Sequence, residues 1–324
     1  MSDLEFWNQE IEKASKRLNG RIIRTSLRRA EKLSSLKGVP IYYKLENQQK
    51  TGSFKLRGAT NAIIHLLEES GLQCVVTAST GNHGRSLAYS ANAIGVHCIV
   101  YISKMVPKNK VVALEEAGAE VRVIGVSQDE AEAAARSEAL SGGYTFVPPF
   151  DSSDIISGQG TIGAEIMDDL PDVELVLVPL SGGGLAAGVA AAIKFRNSAA
   201  RVIGVSMVRG AAMYASLEAG HPVLVPEEET LADSLGGGIG LDNRYTFAMA
   251  RDLLDGVVLL SEDEIRDGIR AAAADGEITE GAGAVGIGAL LAGKIDIRGP
   301  TVAILSGSNI DLRLFQRIIE SEGV

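Results

Sequence analysis

The chain has 324 residues and a formal net charge of −10, enough for one large domain or two moderate ones with full cores. A content of 46% hydrophobic and 22% charged residues excludes a disordered or fibrous chain. The acidic balance leaves no basic face to collect phosphates, which argues against nucleic-acid binding.

The first eighteen residues, MSDLEFWNQEIEKASKRL, read as an amphipathic helix with charges throughout, not as a signal peptide. No apolar stretch is long enough to span a bilayer, so a cytoplasmic protein is expected. From about residue 73, β-rich runs alternate with helical patterns. The strand-like runs are 73–79, 97–102, 120–125, 144–148, 174–180, 201–207 and 301–306. The helical stretches are 82–94, 108–117, 128–140, 158–170, 186–196, 263–275 and 283–292. This alternation predicts an α/β fold of parallel sheets covered by helices. Residues 73–150 hold four strand–helix units suited to a compact subdomain, and the flanking segments supply another sheet to which TVAILSGS returns. Cys74 and Cys98 both fall inside apolar runs and read as buried reduced thiols, not as a disulfide framework or a zinc site. The stretch 221–245 is the least regular, and its glycines at 236–238 predict a close backbone approach to something.

A glycine-rich turn, Ser181-Gly182-Gly183-Gly184-Leu185, lies between an apolar strand and an alanine-rich helix. Bare N–H groups and the helix dipole at such a start favour a bound anion by about 1–2 kcal/mol. Gly182, Gly184 and Ala187 formally match the dinucleotide fingerprint, which also wants an acidic residue about twenty positions on for the ribose. The next strand, RVIGVSM, ends at Ser206 and Met207 without a carboxylate. A single phosphate therefore fits better, with NADP, met through Arg209, as the weaker alternative. Gly288 to Lys294 spells most of a Walker A motif but lacks the following Ser/Thr, Ile295 standing there, and sits in a helical run.

Lys55 lies in Thr51-Gly52-Ser53-Phe54-Lys55-Leu56-Arg57-Gly58, with small or hydroxylic neighbours on one side and Phe54 adjacent. That leaves room for a flat ring and an apolar surface to pack on it. Desolvation lowers a lysine pKa and makes the amine nucleophilic near neutral pH. An imine-forming lysine and a nest for one phosphate are together what pyridoxal phosphate requires. In Thr77-Ala78-Ser79-Thr80-Gly81-Asn82-His83-Gly84, a strand ends and a helix opens. Hydroxyls and N–H groups there suit a carboxylate, and Asn82 offers a donor and an acceptor, useful against a phenolic oxygen. Four polar positions around a glycine exceed what helix capping needs; His83 alone reads as more often structural than catalytic. Ile304-Leu305-Ser306-Gly307-Ser308-Asn309 again puts hydroxyls at the carboxyl end of a strand.

The set TGSFKLRGA, STGNHG, GQGTI, PLSGGGL, EGAGA and LSGSNID resembles the fold type II pyridoxal phosphate enzymes, which include serine and threonine dehydratases and serine racemase. The resemblance covers nearly the whole chain in order. VPPFD, VIGVSM, RGAAM and TLADSLGGGIGLDN are similar to the hydroxyectoine utilization dehydratase group of that family. It implies a two-domain, tryptophan synthase β-like architecture: a large domain of 1–73 plus 151–324, a small mobile domain of 74–150, and the cofactor between them. A homodimer is expected.

Carried over, the resemblance makes Lys55 the Schiff-base lysine, with Phe54 against the ring and Asn82 on its phenolic oxygen. Gly182, Gly183, Gly184 and Leu185 cradle the phosphate, Ser306 faces the pyridine nitrogen and Gly236 flanks the ring. Ser79, Thr80, Gly81 and His83 lie in the substrate-carboxylate loop, and Thr80 stands where serine racemase has its reprotonating serine. A neutral hydroxyl at Ser306 gives a weaker electron sink than a carboxylate would, which suits prompt elimination. Some relatives bind a divalent cation just after the strand matching VIGVSM; Ser206 and Ala212 stand there, with no carboxylate from Val205 to Leu217, so no metal is expected. The sequence runs only a short way past LSGSNID, so the regulatory domain of biosynthetic threonine dehydratases is not expected. The expected activity is dehydration of a β-hydroxy amino acid to a 2-oxo acid and ammonia. A hydroxyectoine-derived amino acid, 3-hydroxyaspartate, serine or threonine are the candidate substrates, and racemisation is the alternative on the same cofactor.

Overall fold

The structure, a computed structural model, describes residues 3–320. In chain order the first half runs α1 (Asp3–Leu18), β1 (Leu27–Arg29), α2 (Glu31–Lys37), β2 (Ile41–Lys44), α3 (Lys55–Ser70), β3 (Cys74–Thr77), α4 (Asn82–Ile94), β4 (His97–Ile102), α5 (Lys108–Glu116), β5 (Glu120–Val123), α6 (Gln128–Gly142) and β6 (Thr145–Phe146). The second half runs α7 (Ser153–Asp169), β7 (Leu175–Pro179), α8 (Gly184–Arg196), β8 (Arg201–Met207), α9 (Ala212–Ala219), α10 (Thr246–Leu253), β9 (Gly256–Leu260), α11 (Glu262–Ala274), α12 (Gly281–Leu291), β10 (Thr301–Ile304) and α13 (Leu312–Glu320).

Two sheets form. One has six strands in the order β1-β2-β10-β7-β8-β9, the other four in the order β5-β4-β3-β6. All pairs are parallel except β1 with β2. The four-stranded sheet takes its strands from residues 74–146 alone, and β10 returns to the centre of the larger sheet between β2 and β7. β7 (LVLVP) is buried at every position, as a parallel strand covered on both faces requires. All seven expected strands and all eight expected helices, the N-terminal α1 included, are present. Outside that expectation fall β1, β2 and β9 and the helices α2, α3, α9, α10 and α13; α3 opens at Lys55.

Glycines let three helices meet closely behind the larger sheet. A Cβ on Gly158 would stand 2.6 Å from the Gly58 Cα, and one on Gly188 would stand 2.3 Å from the Ile156 carbonyl oxygen. The GQGTI segment is thus a crossing point of α7 with α3 and α8. α1 lies over the same helices and buries Trp7, Ile11, Ala14 and Leu18, the i, i+4, i+7 pattern of one helical face.

The start of α3 is anchored by charge. Arg57 and Glu46 are fully buried and paired twice, Nη2 to Oε1 at 2.8 Å and Nε to Oε2 at 2.9 Å. Arg57 Nη1 also reaches Glu165 Oε1 at 2.7 Å, and the buried Lys44 of β2 donates to Glu165 Oε2 at 2.5 Å. Two cations meet two carboxylates, so no charge is left uncompensated where burial would be most costly. This cluster fixes the first turn of α3, and with it Lys55, against the sheet and α7.

Candidate active site

The cleft at the carboxyl ends of the strands holds a cavity of about 530 Å³, where ligands sit in open α/β sheets. Its wall contains every residue to which the resemblance gives a role: Phe54 and Lys55, Ser79 to His83, Gly182 to Leu185, Gly236 and Ser306. The glycines at 237 and 238 line it as well.

Lys55 sits at the first position of α3, held by a backbone stitch. The Phe54 N–H donates to the Ser306 carbonyl at 3.0 Å, Ser53 pairs with Gly307, and the Ser308 N–H donates to Gly52 O at 2.8 Å. The TGSFK and LSGSN segments are therefore one unit. Lys55 Nζ donates to Pro149 O at 2.8 Å and lies 5.3 Å from the centre of the Phe54 ring. Desolvation pulls its pKa down to about 8, opposed by the nearby Glu280 carboxylate. An amine in that range has a neutral fraction large enough to act as nucleophile or base.

The glycine turn lines the same cavity. Gly183 has φ +90 and caps α8 without a side-chain hydrogen bond. A Cβ on Gly182 would meet the Phe150 ring at 2.4 Å, and one on Gly184 the Phe150 carbonyl oxygen at 2.9 Å. No side chain can stand there, so the first N–H groups of α8, which have no partner within the helix, are left bare for an anion. A cradle of that kind, in one cavity with a desolvated lysine amine, fits pyridoxal phosphate.

At the start of α4 no side chain caps the helix, so the hydroxyls of Ser79 and Thr80 are not spent on capping. Gly84 is held tightly under the Ser79 carbonyl, 1.8 Å from where a Cβ would lie. His83 is 2% exposed, and its Nε2 donates to Val147 O at 3.0 Å, which leaves Nδ1 without a partner among the described residues. Burial and the neighbouring Lys55 push its pKa down to about 3, so the ring is neutral. Asn82 does not offer the cavity both functions of its amide. Its Oδ1 accepts from Asn309 Nδ2 at 2.6 Å, while its Nδ2 donates to Glu280 Oε1 at 2.8 Å.

Glu280, the first residue of the EGAGA segment, is a candidate that the sequence reading does not include. It is 4% exposed, lines the cavity, and its carboxyl is pushed up to about 7 by burial and by Asp233. The available signal was a lone acid directly before a helix of only glycine, alanine and aliphatic residues. Phe150 and Pro149, which shape the cradle and hold Lys55, carry no chemistry that a sequence alone announces.

Cys74 and Cys98 are buried and free, their thiols pushed up to about 11 and about 12 by burial. Arg209, the candidate NADP contact, donates instead to the Glu229 carbonyl. Among the described residues, no group of three or more His, Cys, Asp or Glu is placed to hold a metal, and no helix is long and apolar enough to cross a membrane.

Residues 18–307 match the family of pyridoxal-phosphate dependent enzymes, and the chain belongs to that family. A Sinorhizobium fredii protein bearing a threonine dehydratase name is 52% identical over 96% of this chain and 94% of its own. The catabolic L-threonine dehydratase of Escherichia coli is 40% identical over 98% of this chain and 97% of its own. Among solved structures, maize serine racemase superposes with a TM-score of 0.89 at 29% identity, covering 95% of each chain. The protein is a pyridoxal phosphate-dependent enzyme of the lyase type.

Proposed function

We propose that the protein removes water from a β-hydroxy amino acid and releases a 2-oxo acid and ammonia. The observation that carries this reading is that the desolvated Lys55 amine and the bare N–H groups at the start of α8 line one cavity. Bound pyridoxal phosphate supplies the electron sink that makes the substrate Cα proton removable. Lys55 Nζ is the base placed to take that proton, with Pro149 O orienting the amine. The hydroxyls of Ser79 and Thr80 and the bare backbone at the start of α4 hold the substrate carboxylate. Phe54 and Ser306 line the same cavity; Phe54 would hold the cofactor ring and the Ser306 hydroxyl would be a neutral partner for its nitrogen, one that would leave the sink weak enough to favour prompt departure of the β-hydroxyl. The enamine so formed takes up water and gives the 2-oxo acid, so the net loss is ammonia.

The named relatives support serine or threonine as substrate, and the similarity of VPPFD and TLADSLGGGIGLDN to the hydroxyectoine group supports a hydroxyectoine-derived amino acid; 3-hydroxyaspartate completes the set. Racemisation is the second reading, supported by the Thr80 hydroxyl on the cavity wall and by the likeness to maize serine racemase. We place a mobile unit at 74–150, since the four-stranded sheet draws only on that span, with 1–73 and 151–324 as the larger body. Pairing into a homodimer rests on the prevalence of two-fold assemblies.

The deciding experiment is the visible spectrum of the purified protein as each candidate amino acid is added, with ammonia assayed in parallel. A yellow protein whose band shifts and which releases ammonia with one of them is expected. Lys55→Ala is expected to abolish both responses. Turnover that survives Lys55→Ala would remove the assignment, and α-deuterium exchange without ammonia would select the racemase.

A further inference from the structure

Asn82 is held by a hydrogen-bond chain whose direction follows from its two ends. At one end Arg85 Nη1, which can only donate, meets Asn309 Oδ1 at 3.1 Å. The Thr51 carbonyl, which can only accept, takes a hydrogen from Asn309 Nδ2 at 3.0 Å. These two fix the Asn309 amide, because turning it over would set donor against donor and acceptor against acceptor. Its remaining Nδ2 hydrogen goes to Asn82 Oδ1 at 2.6 Å, so the Asn82 oxygen must face Asn309. Asn82 Nδ2 is thereby turned to Glu280 Oε1 at 2.8 Å. Of the two Asn82 hydrogens, one is committed to Glu280 and the other is left for the cavity that Asn82 lines.

Glu280 is itself fixed. Its N–H donates to Gly307 O at 3.0 Å, and its carboxylate lies over Gly307, where a Cβ would come within 2.5 Å of Oε1. The Asn309 backbone N–H also donates to it.

We infer that Glu280 is a positioning residue: with Asn309 it locks Asn82 as a pure hydrogen-bond donor toward the phenolic oxygen of the bound cofactor. The inference rests on the reading above that places that oxygen at Asn82. A locked donor favours the deprotonated oxygen, and no amide reversal can present a lone pair to it instead. The groups that face Glu280 are Asn82 and Arg85 from α4, Asp233 from the segment before Gly236, and Lys55 from α3. Burial and Asp233 raise its pKa to about 7, so its charge, and the field at the phenolic oxygen, changes near neutral pH.

The test titrates pyridoxal phosphate into cofactor-stripped protein and follows the visible band of the loaded protein with pH, for the parent, Glu280→Gln, Glu280→Ala, Asn82→Ala and the Glu280→Ala/Asn82→Ala double variant. Glu280→Gln keeps an acceptor for Asn82 and is expected to hold the cofactor within about threefold of the parent, while losing a band transition near pH 7 that the parent shows. Glu280→Ala is expected to bind about tenfold more weakly, and the double variant no more weakly than Asn82→Ala alone, because both act through one contact. Losses that add in the double variant, or a Glu280→Gln band that titrates as the parent's does, would overturn the proposal. Should Glu280→Ala not fold, the isosteric Glu280→Gln profile still decides it. A parent with no visible band at all would instead overturn the placement of the cofactor on Lys55.

Discussion

At the scale of single residues, the site is built from groups taken out of water and then only partly compensated. Lys55, His83 and Glu280 share one wall of the cavity, and each is displaced toward its neutral form, with desolvation the leading cause in all three. The Arg57 cluster shows the other outcome of burial: four charged side chains in contact, each answered by its opposite. For Glu280 the sign of the linkage is fixed. Its folded pKa, about 7, lies above the ordinary carboxylate value of 4.5, so the stability it contributes is complete below about pH 4.5 and is lost as the pH rises through 7. In the cofactor-free protein, the melting temperature of Glu280→Gln relative to the parent is expected to move in the variant's favour from about pH 5 to about pH 8. A difference that stays constant over that range would mean Glu280 does not ionise there.

At the scale of elements, what could be read in the sequence was what local chemistry dictates. The alternating apolar runs and helical patterns located both sheets, and the glycine turn stood out as a candidate anion cradle because it comes directly before a helix. β1 (LRR) and β2 (IYYK) were not legible. They are short and charged, and β2 buries Lys44 only because Glu165 comes from a helix 121 residues away. β9 (GVVLL) was legible and simply passed over. In the cavity wall, Lys55, Asn82 and Ser306 could be named, but the commitment of both ends of the Asn82 amide could not, since Asn309 and Glu280 reach it from distant segments. The glycine turn yields its own prediction. Gly182→Ala would drive a methyl group into the Phe150 ring, 2.4 Å away, which must shift either the ring or the cradle. The folded protein is expected to bind pyridoxal phosphate at least about tenfold more weakly, a loss of roughly 1.4 kcal/mol. Unchanged affinity in a cofactor titration would show that the cradle yields without cost.

At the scale of the whole molecule, the return from the smaller sheet to the larger one runs through residues 147–151, four of which make contacts at or beside the site. Val147 O takes hydrogen bonds from Thr77 and His83, and Pro149 O holds Lys55. The Phe150 ring covers Gly182, and the Asp151 carboxylate accepts from the N–H groups of Arg244, Tyr245 and Thr246 at the start of α10. The contacts follow one another along the chain with no slack between them. The consequence is a span whose length cannot drift. One glycine inserted between Pro148 and Pro149 would set the Lys55 partner and the Phe150 ring out of step together, and cofactor affinity is expected to collapse. The same insertion beside the exposed Gly220 and His221 should leave it unchanged, and equal tolerance at both places would show that the crossing is more pliant than its contacts suggest. Substitutions can accumulate over much of such a molecule, but in this stretch lineages should share one residue count even where they no longer share residues.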